Sequence, residues 1–207
     1  MRFLAFEGLD GSGKSTLIQG LKTEFEKQGL AYIITREPGG SSLGTEVRHM
    51  LQRNDGEAPV PRAEALLFQA DRAQHVEKVI KPALHQNKWV LSDRFAASSL
   101  AFQAAGRDIK SEEIEWLNRF STAGLQPDLY VLLDLTVEES AKRMAGRGLE
   151  ADRFEREGKE FHQKVRDAYL RLAKADPSRW LVLPAGEKPE QLFANLLKEL
   201  RGRKWLA

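Results

Sequence analysis

Phe3-Leu4-Ala5-Phe6-Glu7-Gly8-Leu9-Asp10-Gly11-Ser12-Gly13-Lys14-Ser15-Thr16 opens the chain and decides its fold. Four apolar residues in a row read as a strand buried on both faces. Gly8 to Ser15 then matches G-x-x-x-x-G-K-[ST], a loop whose backbone N–H groups curl around phosphate oxygens. After it, Leu17, Leu21 and Phe25 recur at i, i+4 and i+8, and Gly29 closes the helix they define. Strand, glycine loop and helix in that order place the positive end of a helix behind a phosphate site. Within the loop Gly8, Leu9, Asp10, Gly11, Ser12 and Gly13 supply backbone. Lys14 is expected to reach the β- and γ-phosphates of ATP, the Ser15 hydroxyl to ligate Mg²⁺, and Thr16 to border the same site.

Working outward, Tyr32 to Thr35, Trp89 to Leu91, Leu129 to Leu133 and Trp180 to Leu183 read as four further strands. Segments 62–85, 111–123, 137–146, 155–175 and 189–201 read as amphipathic helices, with Pro82 expected to kink or end the first. Intervals this long demand crossover connections. The expected architecture is a doubly wound α/β fold, a five-stranded parallel sheet flanked by helices, in one domain over 1–207 with ligands at the carboxyl ends of the strands.

Of the 207 residues 42% are hydrophobic and 30% charged, as in ordinary folded proteins, and 32 basic against 30 acidic residues leave a charge of +2. That balance speaks against nucleic acid as a partner while allowing a local basic pocket. With no cysteine there is no disulfide, thiolate metal site or thiol nucleophile. No apolar run approaches a membrane span, and the first residues lack a signal-peptide core, so a soluble cytoplasmic protein is expected.

A phosphate loop alone means only a nucleotide. Thr35-Arg36-Glu37-Pro38-Gly39-Gly40 and Ser92-Asp93-Arg94-Phe95 put arginines just past two strand ends, as a second anion site requires. The N-K-x-D motif of a switch GTPase is not in the sequence. A kinase of a small acceptor is therefore favoured over a nucleotide switch. Kinases for other nucleoside monophosphates or nucleosides, and a regulator that hydrolyses ATP slowly, stay open at this point.

The loop block, the T-R-E-P-G-G block, Leu67-Phe68-Gln69-Ala70-Asp71-Arg72, the run Asp93 to Gln103 and Gly124-Leu125-Gln126-Pro127-Asp128-Leu129 together resemble the bacterial thymidylate kinases, nucleoside monophosphate kinases of the P-loop class. With residues 143–155 the resemblance spans nearly the whole chain in order. It implies transfer of the ATP γ-phosphate to dTMP with Mg²⁺, by a homodimer. It also implies that Arg36 and Arg94 hold the dTMP phosphate and that Asp93 helps organise the metal. Phe68 stacks on thymine, Arg72 meets a base carbonyl, and Ser99 and Gln103 touch base or sugar. Asp10 meets the 3′-hydroxyl or the metal, and Arg48 stands at the pocket edge.

The acceptor is itself a phosphate with a second pKa of about 6, so no base is needed. The difficulty is bringing two anions together in the absence of water, which calls for arginine, lysine and Mg²⁺. Lys142 to Arg153 supplies arginines, and Gly146 and Gly148 suit a mobile lid over about 142–155. The variable loop positions Leu9 to Ser12 hold no arginine. The resemblance is therefore to the lid-arginine type, with Arg147 or Arg153 as the catalytic finger and Arg143 packing on adenine. Phe95 and Phe102 stand where relatives commonly carry tyrosine or another polar ring. Phe102 is expected to wall off a ribose 2′-hydroxyl.

Overall fold

The computed structural model describes residues 2–146, 148 and 150–206. Its five strands are β1 (Phe3–Glu7), β2 (Tyr32–Arg36), β3 (Trp89–Asp93), β4 (Leu129–Asp134) and β5 (Trp180–Pro184). They lie in the order β2-β3-β1-β4-β5, every neighbour parallel. Helices run between them: α1 (Lys14–Gln28), α2 (Ser42–Gln52), α3 (Pro61–His75), α4 (Lys81–His85), α5 (Ala96–Ser99), α6 (Ser111–Thr122), α7 (Val137–Ala145), α8 (Lys159–Ala175) and α9 (Pro189–Gly202). The expected doubly wound sheet is present. Each strand runs one or two residues past its apolar core, because the ladder continues onto polar ends such as Arg36 opposite Asp93.

Alternation along β1 divides the core. Phe3 and Ala5 face a cluster with Phe95, Phe102, Val165 and Tyr169; Leu4 and Phe6 face another with Leu17, Leu21, Phe25 and Leu196. Central strands β1 and β4 are buried almost throughout, as their apolar runs predict. The edge strands β2 and β5 are not, with Ile34 and Val182 each 42% exposed, because an edge strand has a neighbour on one side only.

Three local features differ from the sequence reading. The expected helix 62–85 is α3, a π-helical turn Val76–Ile80 and α4; Pro82 falls in the first turn of α4 and does not end the run. Lys81 N–H reaches back five residues to Val76, and this widened turn accommodates the proline ring and its missing donor. Helix α2 was not foreseen. Its signals are Ser41, whose hydroxyl accepts from Gly44 N–H, and Val47 and Leu51 at helical spacing, with Gly44 breaking the apolar stripe. The expected helix 155–175 starts only at Lys159. Asp152 Oδ1 accepts from the N–H groups of Phe154 and Glu155, turning the chain before Gly158 admits the helix. Among the described residues no helix is long and apolar enough to cross a membrane.

Candidate active site

Register brings the motifs together. Phe6 pairs with Asp93 on one side and Val131 on the other, while Arg36 pairs with Asp93, so the ends of β1, β2 and β3 lie side by side. Over them opens a cleft of about 600 Å³, within the range of ligand pockets.

At one end lies the phosphate loop. Gly8 has φ 133°, and a Cβ there would stand 2.5 Å from the Leu133 carbonyl oxygen; Gly13 has φ 98°. Both conformations are closed to ordinary side chains. Lys14 Nζ donates to the carbonyls of Gly8 and Leu9, each at 3.1 Å, and lies 3.8 Å from Asp10 Oδ1. Burial, then the charge of Arg94, pulls the Lys14 ammonium below the usual lysine range. Such a desolvated cation gains most from an incoming anion. Ser15 and Thr16 line the cleft at the start of α1, beside the expected Asp10, Gly11 and Gly13; Leu9 and Ser12 are buried beneath. Arg143 lines the same end, donating to the carbonyls of Gly11 and Ala185.

Arg94 sits in the middle with a left-handed backbone, φ 72°. Its Nη1 donates to Gly8 O at 3.0 Å and the Tyr169 hydroxyl at 3.3 Å, and its Nη2 to Asp10 Oδ1 at 2.8 Å. Burial raises the Asp10 carboxyl, but Arg94 and Lys14 more than offset it and bring it down to about 2. Asp10 is thus engaged by Arg94. Beneath, Glu7 is fully buried and accepts from Phe95 N–H, the Ser98 hydroxyl and the Tyr169 hydroxyl. Burial pushes its carboxyl up. Glu7, Ser98 and Tyr169 were missed by the sequence reading; an acid inside an apolar strand was the available signal for Glu7.

Asp93 also lines the cleft. Its Oδ1 is buried without a partner among the described residues, and the helix after it carries no side-chain cap, so it is not merely a capping residue. A buried carboxylate oxygen in the cleft that Ser15 also lines suits Mg²⁺, which binds through one or two carboxylates plus substrate phosphates. No cluster of three or more acidic, histidine or cysteine side chains competes among the described residues.

Arg36 and Arg48 line the cleft beside β2 and α2. Arg48 Nη1 donates to Pro38 O, and burial followed by the charge of Arg36 lowers its pKa. Beyond them Phe68, Phe102, Gln103 and Phe154 form a half-apolar end. Phe102 packs edge-on to Phe154, Phe161 and Tyr169, with the Arg94 guanidinium 5.0 Å from its centroid. Phe95, by contrast, is wholly buried against Phe3 and does not line the cleft, so no ligand contact is lost with a hydroxyl there.

Three expected site residues are bound to partners within the protein. Arg72 touches the cleft but is 1% exposed and holds the floor together. It donates to Glu37, Gln69, Ser99, Asn118 and the Phe95 carbonyl. Ser99 does not line the cleft; its hydroxyl accepts from Arg72. It ends α5, and Gln103 follows in a π-helical segment, Leu100–Gly106, where its amide donates to Glu64. Arg153 also does not line the cleft: it pairs with Glu64 at 2.7 Å and donates to Leu51 O. In this geometry the Arg153 guanidinium is held by Glu64. Arg147 lies outside the described residues.

The thymidylate kinase family model matches residues 6–196. The chain is 50% identical to a thymidylate kinase of Bdellovibrio bacteriovorus over 210 residues, covering 100% of this chain and 98% of the relative. It is 46% identical to one of Pelotomaculum thermopropionicum over 197 residues, covering 95% and 91%. With one of Carboxydothermus hydrogenoformans it shares 44% over 201 residues, 97% of each.

Proposed function

The chain belongs to the thymidylate kinase family, and from that premise we propose that it phosphorylates dTMP to dTDP with ATP and Mg²⁺. The observation that carries the proposal is a single cleft with a phosphate loop at one end and an aromatic end at the other, Arg94 standing between them. A phosphate oxygen of dTMP attacks the γ-phosphorus of ATP, the bond to the β–γ bridging oxygen breaks, and ADP leaves. The acceptor is already largely dianionic at neutral pH. The cleft residues therefore need only hold, neutralise and exclude water.

Lys14 and the loop N–H groups hold the donor phosphates, and Arg36 and Arg94 the acceptor phosphate. Phe68 stacks on the base, Gln103 borders base or sugar, and Phe102 walls the sugar. Asp93 and Ser15 would hold Mg²⁺, which neutralises charge on the transferring group. Residues 142–155 act as the lid, with Arg143 beside adenine and Arg147 as the finger candidate. We place the enzyme in the cytoplasm as a homodimer. The dimer reading is supported by Leu66 on α3 and by Trp116 and Phe120 stacked on α6, which are 57%, 57% and 73% exposed.

The test is ADP release with ATP-Mg²⁺ against a panel of nucleoside monophosphates, for wild type and Lys14→Ala. Release dependent on dTMP, abolished by Lys14→Ala in a folded protein, is expected. Preference for a purine acceptor, or ADP release without any acceptor, refutes the assignment.

A further inference from the structure

Glu64 lies in α3, 0% exposed, on a buried helix face that it shares with Gln69, Asp71, Arg72 and His75. A carboxylate so placed demands compensation. Its Oε1 accepts from Gln103 Nε2 at 3.0 Å and from Arg107 Nε at 3.2 Å. Its Oε2 meets Arg107 Nη2 at 3.2 Å and Arg153 Nη2 at 2.7 Å. The last two contacts are charge against charge, for neither Nη2 makes a well-aligned hydrogen bond. Arg107 has a second acid, Glu157 at 2.6 Å. Two acids and two arginines thus balance, and Arg153 is the member delivered by the segment that covers the acceptor end.

The other Arg153 contacts bind in the same direction. Nε donates to Leu51 O at the end of α2, where a cation complements the helix dipole. The guanidinium lies 4.4 Å from the Phe154 centroid, and Phe154 packs against Phe68 and Phe102. A parallel seam joins Gln52 to Asp152 at 2.8 Å and Asn54 to the Ala151 carbonyl at 3.0 Å.

Resting on the function proposed above, we propose that Glu64 and Arg153 form the latch that seats residues 150–155 over the acceptor end of the cleft. Arg153 is a positioning residue, and through Glu64 it is tied to Gln103 on the cleft wall. A base seated against Gln103 and Phe68 and a seated lid therefore stabilise one another. Neutralising either latch partner leaves the other buried charge short of its counter-ion, and the lid segment lifts.

Amide hydrogen exchange over residues 150–156, together with kcat and KM for dTMP, tests this in wild type, Glu64→Gln, Arg153→Gln, the double variant and Arg153→Lys. Each single change should speed lid exchange by about tenfold, and the double should be no faster than either, since both remove one interaction. KM for dTMP should rise at least about fivefold while kcat falls less than about tenfold, with Arg153→Lys between wild type and Arg153→Gln. Should Glu64→Gln not fold, Arg153→Gln and Arg153→Lys, at a side chain 16% exposed, carry the comparison. A loss of about 10³ or more in kcat on Arg153→Gln with unchanged exchange would make Arg153 the finger and overturn the latch. Unchanged exchange and KM in both single variants would overturn it equally. Exchange needs no turnover: a wild type inactive on dTMP would refute the function while the lid comparison still decided the latch.

Discussion

Arg72→Ala separates a base-reading arginine from a structural one. In the fold its Nε donates to Glu37 Oε2 at 2.7 Å, and its Nη1 to Asn118, Ser99 and Gln69 at 2.8, 2.9 and 3.1 Å. Its Nη2 donates to Phe95 O at 3.1 Å. Not all of these partners are orphaned by truncation. Asn118 Oδ1 keeps Gln69 Nε2, Gln69 Oε1 keeps the Ser121 hydroxyl, and Glu37 keeps His75 Nδ1. What is lost outright is the permanent counter-charge of a carboxylate 4% exposed, and the donors to Ser99 and Phe95.

Breaking a buried pair from one side costs about 3–5 kcal/mol. For a chain of this size each kcal/mol lowers Tm by about 2–4 °C, so Arg72→Ala should melt about 6–20 °C below wild type. Arg72→Lys should recover part, because a point charge still faces Glu37 but the planar fork is gone. Glu37→Gln in the Arg72→Ala background should recover part by removing the unpaired charge. Thermal melts followed by dTMP kinetics below the transition are the assay. A Tm within about 2 °C of wild type, with only KM raised, would refute the structural role and restore the simple base reader.

Phe102 predicts sugar selectivity: wild type should favour dTMP over ribothymidine monophosphate by at least about tenfold in kcat/KM, because an unpaired hydroxyl against a ring costs about 1–3 kcal/mol. Phe102→Ala should narrow that ratio and also lose about 3–5 kcal/mol of stability with its packing on Phe154, Phe161 and Tyr169; equal use of both sugars by wild type would sink the wall. Asp71 predicts a pH effect, since burial and then Glu37 raise its carboxyl from 3.8 to about 6. The folded state then holds that proton more tightly than the unfolded chain, so the favourable contribution, about 3 kcal/mol at most, is full below the unfolded value and is lost as pH rises through about 6. Asp71→Asn, which can still accept from Gly39 N–H, should raise Tm at pH 7.5 more than at pH 4.5; an equal change at both would dismiss the titration.

What the sequence made legible was local. The strand–loop–helix order around Lys14 follows from spacing and glycine, and the central strands from uninterrupted apolar runs. Arg36 at the end of β2 and Arg94 just past β3 follow from position at strand ends. What it hid was partnership across distance. Glu7 finds Tyr169, Arg72 finds Glu37 and Asn118, and Arg153 finds Glu64, pairs separated by 35 to 162 residues. Glu7 closes an apolar run, which is a signal, yet nothing in the sequence names its partners or those of Glu64. Ser99 and Gln103 are likewise drawn to distant partners, Arg72 and Glu64, that helical spacing does not name.

Those pairings divide the arginines by function. Arg72 is answered by Glu37, Arg107 by Glu64 and Glu157, and Arg153 by Glu64, each acid being wholly or largely buried. Arg94 pairs with Asp10, whose side chain is 35% exposed, with the charges of Asp93 and Glu7 nearby. Arg36, Arg48 and Arg143 line the cleft and pair with no carboxylate among the described residues. An arginine already neutralised in the interior gains little from a phosphate, because it must give up one desolvated anion to take another. One facing solvent without a counter-ion gains the full attraction when the cleft closes and the dielectric falls. The arginines without a carboxylate partner therefore line the cleft in which the two nucleotides are proposed to bind. The compensated arginines form the floor and the latch that hold that cleft in shape.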